Sequence, residues 1–330
     1  MKVTIADVAR AAGVSSQTVS RVINNKPEIS PETRKLVSEV IERLGYRPSS
    51  IARSLATRRT DTLGLVLSDI ANPFWSEVAR GIEDVAWERG YHVFFCNTTE
   101  EPQREKAAIE LLENKRVDGL IVAGSRLPDE QLLPLLRKHP AAVLVNRVAP
   151  DNLAGSARVD SAHGAALATR HLLEGGRRTI AFLAGPTHTQ NSRAHLRGYS
   201  STLQEAGLPC DDELIVPCSP TIEGGHAAAT GLLAHRRDVQ AIYCYNDLVA
   251  VGVLRACAER GLRVPDDLAV VGYDDILLAS LLTPQLSSVR VPKYDLGASA
   301  ARLLFERIGG QGENTEIVLL PELVVRRSSP

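Results

Sequence analysis

Thr4-Ile5-Ala6-Asp7-Val8-Ala9-Arg10-Ala11-Ala12-Gly13-Val14-Ser15-Ser16-Gln17-Thr18-Val19-Ser20-Arg21-Val22-Ile23-Asn24 reads as two short helices and the turn between them. Thr4 followed by Asp7 is a capping box, and Val3 with Val8 fits the hydrophobic staple around it. The first helix is predicted over Ile5–Ala12, with Gly13 ending it. Ser15 caps the second, with Val14 and Val19 as its staple and Val19, Val22 and Ile23 as its inward face. Downstream, Ser30-Pro31-Glu32 supplies a cap, a proline at the first helical position and an acid near the positive end of the dipole. Leu36, Val37, Val40, Ile41 and Leu44 give this third helix a core face, and Gly45 stops it. Two helices joined by a Gly-Val-Ser turn, with a third packed across them, form a helix-turn-helix.

The outward face of the second helix carries Ser16, Gln17, Thr18, Ser20, Arg21 and Asn24, all hydrogen-bonding and none acidic. Gln pairs bidentately with adenine and Arg with guanine in the major groove, while Ser and Thr suit bases or phosphates. A merely solvated face ordinarily includes Glu or Lys, so the pattern points to double-stranded DNA. Charge agrees. Residues 1–60 hold 11 Lys/Arg against 5 Asp/Glu, net +6; the remainder holds 27 against 34, net -7. The near-neutral total of -1 conceals a basic head on an acidic body.

The runs from Val3 to Ala9, Ala12 to Ser15 and Thr18 to Asn24 resemble the head of the lactose-repressor/galactose-repressor family. Leu44-Gly45-Tyr46-Arg47-Pro48 and Ala52-Arg53-Ser54-Leu55 extend the likeness through that family's hinge. Residues 49–56 are too few for a stable isolated helix in water, and Ile51, Ala52 and Leu55 have no local core. A helix formed only on DNA, with Leu55 wedged between base steps of the minor groove, accounts for both features. The resemblance implies the same role, with Ala52 beside Leu55 and Arg53 on the groove wall. Thr4, Ser15 and Tyr46 join the candidate DNA contacts. The expected division is a head over 1–48, a hinge helix and linker over 49–61, and an effector-binding and dimerisation body over 62–330.

In the body, apolar runs at 63–67, 92–96, 119–123, 142–145, 179–184, 241–245 and 268–272 alternate with helical patterns such as 77–88 and 247–260. That alternation predicts an α/β body of parallel sheets flanked by helices. An internal echo supports two similar halves. A strand, a loop and Val78-Ala79-Arg80-Gly81-Ile82 are matched by a strand, a loop and Leu196-Arg197-Gly198-Tyr199. Doubly wound halves bind ligands between the carboxyl ends of their strands. The resemblance, which covers nearly the whole chain, implies a periplasmic-binding-protein type I body. Its signatures are Asn72-Pro73-Phe74, Arg116-Val117-Asp118-Gly119-Leu120, Asn246-Asp247 and Val271-Gly272-Tyr273-Asp274-Asp275. In that fold the chain crosses between halves near 160, 290 and 320, giving an N-subdomain of about 62–159 and 291–319 and a C-subdomain of about 160–290 and 320–330.

Effector candidates are polar or aromatic residues just past strand ends: Asp69, Phe74, Trp75, Ser125, Asn146, Arg193, Asn246 and Asp274. Phe74 or Trp75 would stack on a sugar or base ring. By resemblance, Asn146, Arg193, Asn246 and Asp274 hydrogen-bond the effector. Asp160, Asp247 and Asp275 read instead as caps or interdomain contacts. Two positions depart from relatives: Pro220 falls near a common ligand-stacking aromatic, and Val291 where the lactose-type repressor carries a polar contact. The pocket is therefore not that of a β-galactoside repressor. Arg126, Arg147 and Arg193 together would accept an anionic ligand.

Other classes are disfavoured. Five cysteines, odd in number and without a Cys-x-x-Cys pair, suit a reducing compartment, and the eight histidines lack metal-ligand spacing. The amino-terminal segment is amphipathic rather than an apolar leader, and no run reaches the roughly 18 apolar residues of a membrane span, so the expectation is a cytoplasmic protein. The chain carries no Gly-Lys-Ser/Thr phosphate loop, no Gly-x-Ser-x-Gly elbow and no nucleophile with an evident base, which disfavours an enzyme; no metal or cofactor is expected. A solute-binding protein of the same body fold is the alternative, but it would not carry the head. The expectation is thus a transcriptional regulator, read as a repressor, that grips a palindromic operator under control of a sugar or sugar derivative. A homodimer is expected rather than a tetramer, because the sequence ending at 330 leaves no room for a heptad-bearing helix. Helices 77–88 and 247–260 are the expected dimer contributors.

Overall fold

The capping chemistry acts where the sequence put it. The computed structural model describes residues 3–24, 26–46, 59–310 and 316–330. Helix α1 spans Ile5–Ala12, α2 Ser16–Ile23 and α3 Pro31–Leu44. The Asp7 N–H donates to Thr4 Oγ1 at 3.4 Å while Asp7 Oδ2 accepts from the Thr4 N–H at 3.0 Å, which closes the capping box. Ser15 and Ser30 accept from the N–H groups of Thr18 and Thr33 at 3.0 and 3.2 Å. Val8, Ala9, Ala12, Val19, Val22, Val37 and Val40 form the buried centre. Leu36, expected in that face, is 45% exposed instead. Once Val37 and Val40 point inward, a residue one position earlier is rotated by about 100° to the side.

Residues 1–60 and 61–330 form two separate compact units. The second contains two six-stranded sheets. Strands β1 (Thr62–Leu67), β2 (His92–Asn97), β3 (Gly119–Ala123), β4 (Ala142–Val145) and β5 (Gly155–Val159) lie in the first. Strands β6 (Ile180–Ala184), β7 (Ile215–Pro217), β8 (Ala241–Cys244), β9 (Ala269–Asp274) and β10 (Ser287–Arg290) lie in the second. Two late strands, β11 (Glu316–Leu319) and β12 (Glu322–Val324), join the first and the second sheet respectively. The orders are β11-β5-β4-β3-β1-β2 and β12-β10-β9-β8-β6-β7, all parallel except that β12 runs antiparallel to β10. Each half repeats one winding, with its switch point between β1 and β3 and between β6 and β8. The chain passes between sheets after β5, after β10 and after β11.

Helices cover the sheets. Those that position the cleft are α4 (Pro73–Glu88), α5 (Pro102–Lys115), α6 (Asp129–Leu136), α7 (Ser161–Glu174) and α8 (Gln190–Glu205). They are followed by α9 (Ile222–His235), α10 (Asp247–Glu259), the short α11 (Leu277–Leu281) and α12 (Lys293–Ile308). Among the described residues no helix is long and apolar enough to cross a membrane.

Candidate nucleic-acid interface and ligand cleft

On α2, Ser16, Gln17, Arg21 and Asn24 are exposed, whereas Thr18 and Ser20 are half-buried. Ser16, Gln17 and Arg21 make no side-chain hydrogen bond among the described residues, so their donors and acceptors face outward unspent. The Thr18 hydroxyl lies 2.9 Å from that of Ser15, and Asn24 Nδ2 donates to Ser20 Oγ at 3.4 Å. Thr4 is the exposed cap of α1, and Tyr46 packs half-buried on the head core. Ala52, Arg53, Leu55 and the expected hinge helix over 49–56 lie outside the described residues.

The body cleft follows from the winding. Loops leaving β1, β3 and β4 face those leaving β6, β8 and β9, at the carboxyl ends of both sheets. Between them lie an outer chamber of about 250 Å³ and an inner one of about 50 Å³. Trp75, Arg126, Asn146, Asn191 and Tyr245 line both. Trp75 sits in the first turn of α4, 7% exposed, and meets Phe74 edge-on with ring centroids 4.7 Å apart. Gly124 admits that indole: its φ is +73°, and a Cβ there would fall 2.6 Å from the Trp75 ring.

The inner chamber takes Phe74, Asn246 and Asp274. Asn246 is also the cap of α10, accepting from the Val249 N–H at 2.9 Å and donating to the Pro220 carbonyl at 3.2 Å. Asp274 ends β9 with φ +101°, a strained value for a residue with a Cβ. Burial raises its carboxyl well above the usual range, the charge of Asp247 adds to this, and Lys293 opposes it. Lys293 on α12 donates to the carbonyls of Asp274 and Asp275 at 2.8 and 2.9 Å, so the first half holds the backbone of a cleft residue on the second. Pro220 and Val291 line the same chamber. Asp160 caps α7, Asp275 pairs with Arg290 and Arg326 at 2.7 Å, and Asp247 is fully enclosed.

The outer chamber takes Ser125, Arg193, Arg147 and His188. Its wall is built on Glu105 of α5, which accepts from the Ser125 hydroxyl and from the Arg126 and Leu127 N–H groups at 2.6 and 3.2 Å. Burial pushes the Glu105 carboxyl up, against the pull of those bonds. Arg126 pairs with Glu100; Arg147 pairs with Asp129 and donates to Ser125 Oγ at 2.9 Å. Across the mouth, the Gln190 side chain accepts from the Val148 N–H and donates to the Val148 carbonyl, both at 3.0 Å, bridging the two halves.

Seven of the eight sequence candidates thus line one chamber or both. Asp69 lines neither: its carboxylate accepts from the Ala71 N–H at 3.1 Å and is spent on a tight turn after β1. Glu100, His188, Asn191, His195 and Tyr245 were not picked from the sequence. The Asn191 amide donates to the Tyr245 hydroxyl at 3.1 Å, and His195 lies 2.6 Å from the Tyr243 hydroxyl. Burial depresses His195 to about 3, so it lines the inner chamber as a neutral group.

An exposed, acid-free second helix in a helix-turn-helix, on a chain with a two-sheet ligand cleft, defines a DNA-binding regulator that senses a small molecule. Residues 4–49 match the bacterial regulatory proteins of the lacI family, and residues 60–327 match the periplasmic binding proteins and sugar-binding domain of the LacI family. Catabolite control protein A of Priestia megaterium is 38% identical over 330 residues, covering 100% of this chain and 99% of its own length. The structure of the Lac repressor dimer bound to operator and the anti-inducer ONPF superposes with a TM-score of 0.86 at 28% identity, over 100% of this chain and 99% of that one. The complex of the transcriptional regulator CelR with cellobiose gives 0.76 at 34%, over 99% of this chain and 100% of that one. The chain belongs to the LacI family of bacterial transcriptional regulators. It is a DNA-binding regulator with an effector-binding body, not an enzyme.

Proposed function

We propose that this regulator is a cytoplasmic repressor, binding a palindromic operator as a homodimer and governed by a sugar or sugar derivative held in the two-chamber cleft. The observation that carries the reading is the unspent face of α2, Ser16, Gln17 and Arg21, on the same chain as a cleft whose polar groups come from both sheets. The cellobiose complex of a relative supports a sugar-sized effector. A two-fold pair of heads doubles the contacts of a small reading unit, which supports the palindrome. The second copy has exposed apolar side chains to cover: Trp87 at the end of α4 and Leu277 and Leu281 on α11 are 71%, 72% and 69% exposed. For the other expected contributor, α10, one face is already occupied by α9 through Gly225 and Gly252. Five free cysteines are compatible with a reducing compartment. The alternative of a solute carrier leaves the head unexplained.

Arg21→Ala and Gln17→Ala should each relax base preference at one position of each half-site, by about 1–3 kcal/mol per bidentate pair. The check is an operator selected from random duplex by the purified protein, followed by binding to every single-base variant. Identical preferences in wild type and both variants would remove α2 from the reading role. Once a ligand is found, Asp274→Ala should weaken it by about 1–3 kcal/mol, leaving ligand-free operator binding intact; calorimetric titration of both proteins decides.

A further inference from the structure

We propose that the effector is bipolar: a polyhydroxyl body seated in the inner chamber and an acidic group, carboxylate or phosphate, held in the outer chamber by Arg193 at the start of α8. The inference rests on the cleft being the effector site. It is built from how the charges around the outer chamber are used.

Three guanidinium groups converge there, but they are not equivalent. Arg126 is spent on Glu100 and on the Gly124 carbonyl at 3.0 Å. Arg147 is spent on Asp129, on Ser125 and on the Leu127 carbonyl at 2.6 Å. Arg193 is exposed and donates only to the His188 carbonyl at 3.0 Å; among the described residues it has no carboxylate partner. It is the one of the three without a carboxylate partner; Glu130 lines the same chamber but forms no ion pair with it among the described residues. Two helices begin at this chamber. The first turn of α6 already carries Asp129 and Glu130, whereas that of α8 carries no acid and adds Arg193 to its positive end. The field inside agrees with this count. Burial lowers His188, and Arg126, Arg147 and Arg193 lower it further, with Glu100 opposing them.

The inner chamber has the opposite preference. Asp274 lines it, with the Asp247 carboxyl close enough to raise it further, and Asn246 stands beside them; Arg126 also lines it, but with its partner Glu100 alongside. An acidic group would meet carboxyl groups there, while hydroxyl groups could donate to them. One ligand therefore satisfies both chambers only if its acid points outward. A guanidinium with free N–H groups, set at a helix start, suits a carboxylate or a phosphate alike.

The test uses the full-length protein in thermal-shift and calorimetric titrations with matched pairs: glucose against glucose 6-phosphate and glucuronate, galactose against galacturonate, ribose against ribose 5-phosphate. At least one anionic member should bind at least tenfold tighter than its neutral parent, and the carboxylate and phosphate arms tell which acid is preferred. Arg193→Gln should bring that ratio close to one, and Arg193→Lys should restore part of it. If no anionic member out-binds its parent, or if the ratio survives Arg193→Gln, the proposal is overturned. Asp274→Asn separates the two layers. A neutral sugar that binds, is lost in Asp274→Asn and has no tighter anionic partner leaves the cleft intact and removes the acid group. An anionic ligand that depends on Arg193 but not on Asp274 removes the inner seat, and with it the bipolar arrangement.

Discussion

Gly297→Ala should cost the body about 1–3 kcal/mol, whereas the same methyl group at Gly231 should add about 0.5–1 kcal/mol. Both glycines lie inside helices, so intrinsic propensity favours alanine at both by a similar amount. Their surroundings decide the sign. A Cβ on Gly297 would stand 2.0 Å from the Val78 carbonyl oxygen, and one on Gly81 would stand 2.2 Å from that of Tyr294. Helices α4 and α12 therefore meet backbone to backbone, with each glycine receiving a carbonyl from the other helix. No side-chain rotamer can relieve that clash. The helices must part, and with them the cover of the first sheet, which α12 packs along β3, β4 and β5. Gly231 has nothing within 4 Å. For a domain of this size roughly 2–4 °C of melting temperature corresponds to each kcal/mol, so scanning calorimetry should separate the two variants in opposite directions from wild type. A Gly297→Ala protein as stable as wild type would mean that the seam can open at no cost.

The same seam explains why part of the fold was readable. The echo between Val78-Ala79-Arg80-Gly81-Ile82 and Leu196-Arg197-Gly198-Tyr199 marks two helix crossings of one kind, since a Cβ on Gly198 would fall 2.1 Å from the Ala162 carbonyl. The head was readable for a different reason: Thr4, Ser15 and Ser30 each complete a local hydrogen bond with a residue three positions on, and such information lies within one turn of chain. Strands β5, β7, β10, β11 and β12 escaped because they are short, three to five residues each, and β5 and β10 also carry little apolar signal. In β10, Ser287 and Ser288 are fully buried, their hydroxyls spent on the Arg326 carbonyl and on Asp247. No local pattern says that two serines belong inside. The cleft divides in the same way. Residues at strand ends were identifiable because parallel sheets bind ligand at that edge. The pairings that leave Arg193 as the spare cation, Arg126 with Glu100 and Arg147 with Asp129, join separate loops and exist only once the sheet has folded.

Asp247→Asn should flatten the pH dependence of stability and make the protein more stable than wild type above neutrality. Asp247 is 1% exposed, between α10, β9 and β10. Burial is the largest influence on it and raises its carboxyl from 3.8 to about 7, against hydrogen bonds from the Ser288 hydroxyl at 2.6 Å and the Ile276 N–H at 2.8 Å. The native state therefore holds a proton that the unfolded chain gives up between pH 4 and 7. Stability from this group is fully present below about pH 4, declines as pH rises towards 7, and is flat above. Three pKa units correspond to a decline on the order of 4 kcal/mol. An asparagine keeps an oxygen for the Ile276 N–H and cannot ionise, so the decline should vanish from the variant. Above about pH 7 the substitution also takes one negative charge from beside Asp274, whose raised carboxyl should then ionise more readily in the inner chamber. Urea unfolding of both proteins at pH 4.5, 6 and 8 measures the difference directly. The two should be similar at the lowest pH, and the variant should gain steadily towards the highest. If the wild-type slope persists in Asp247→Asn, other groups produce it, and Asp247 is charged in the folded protein despite its burial.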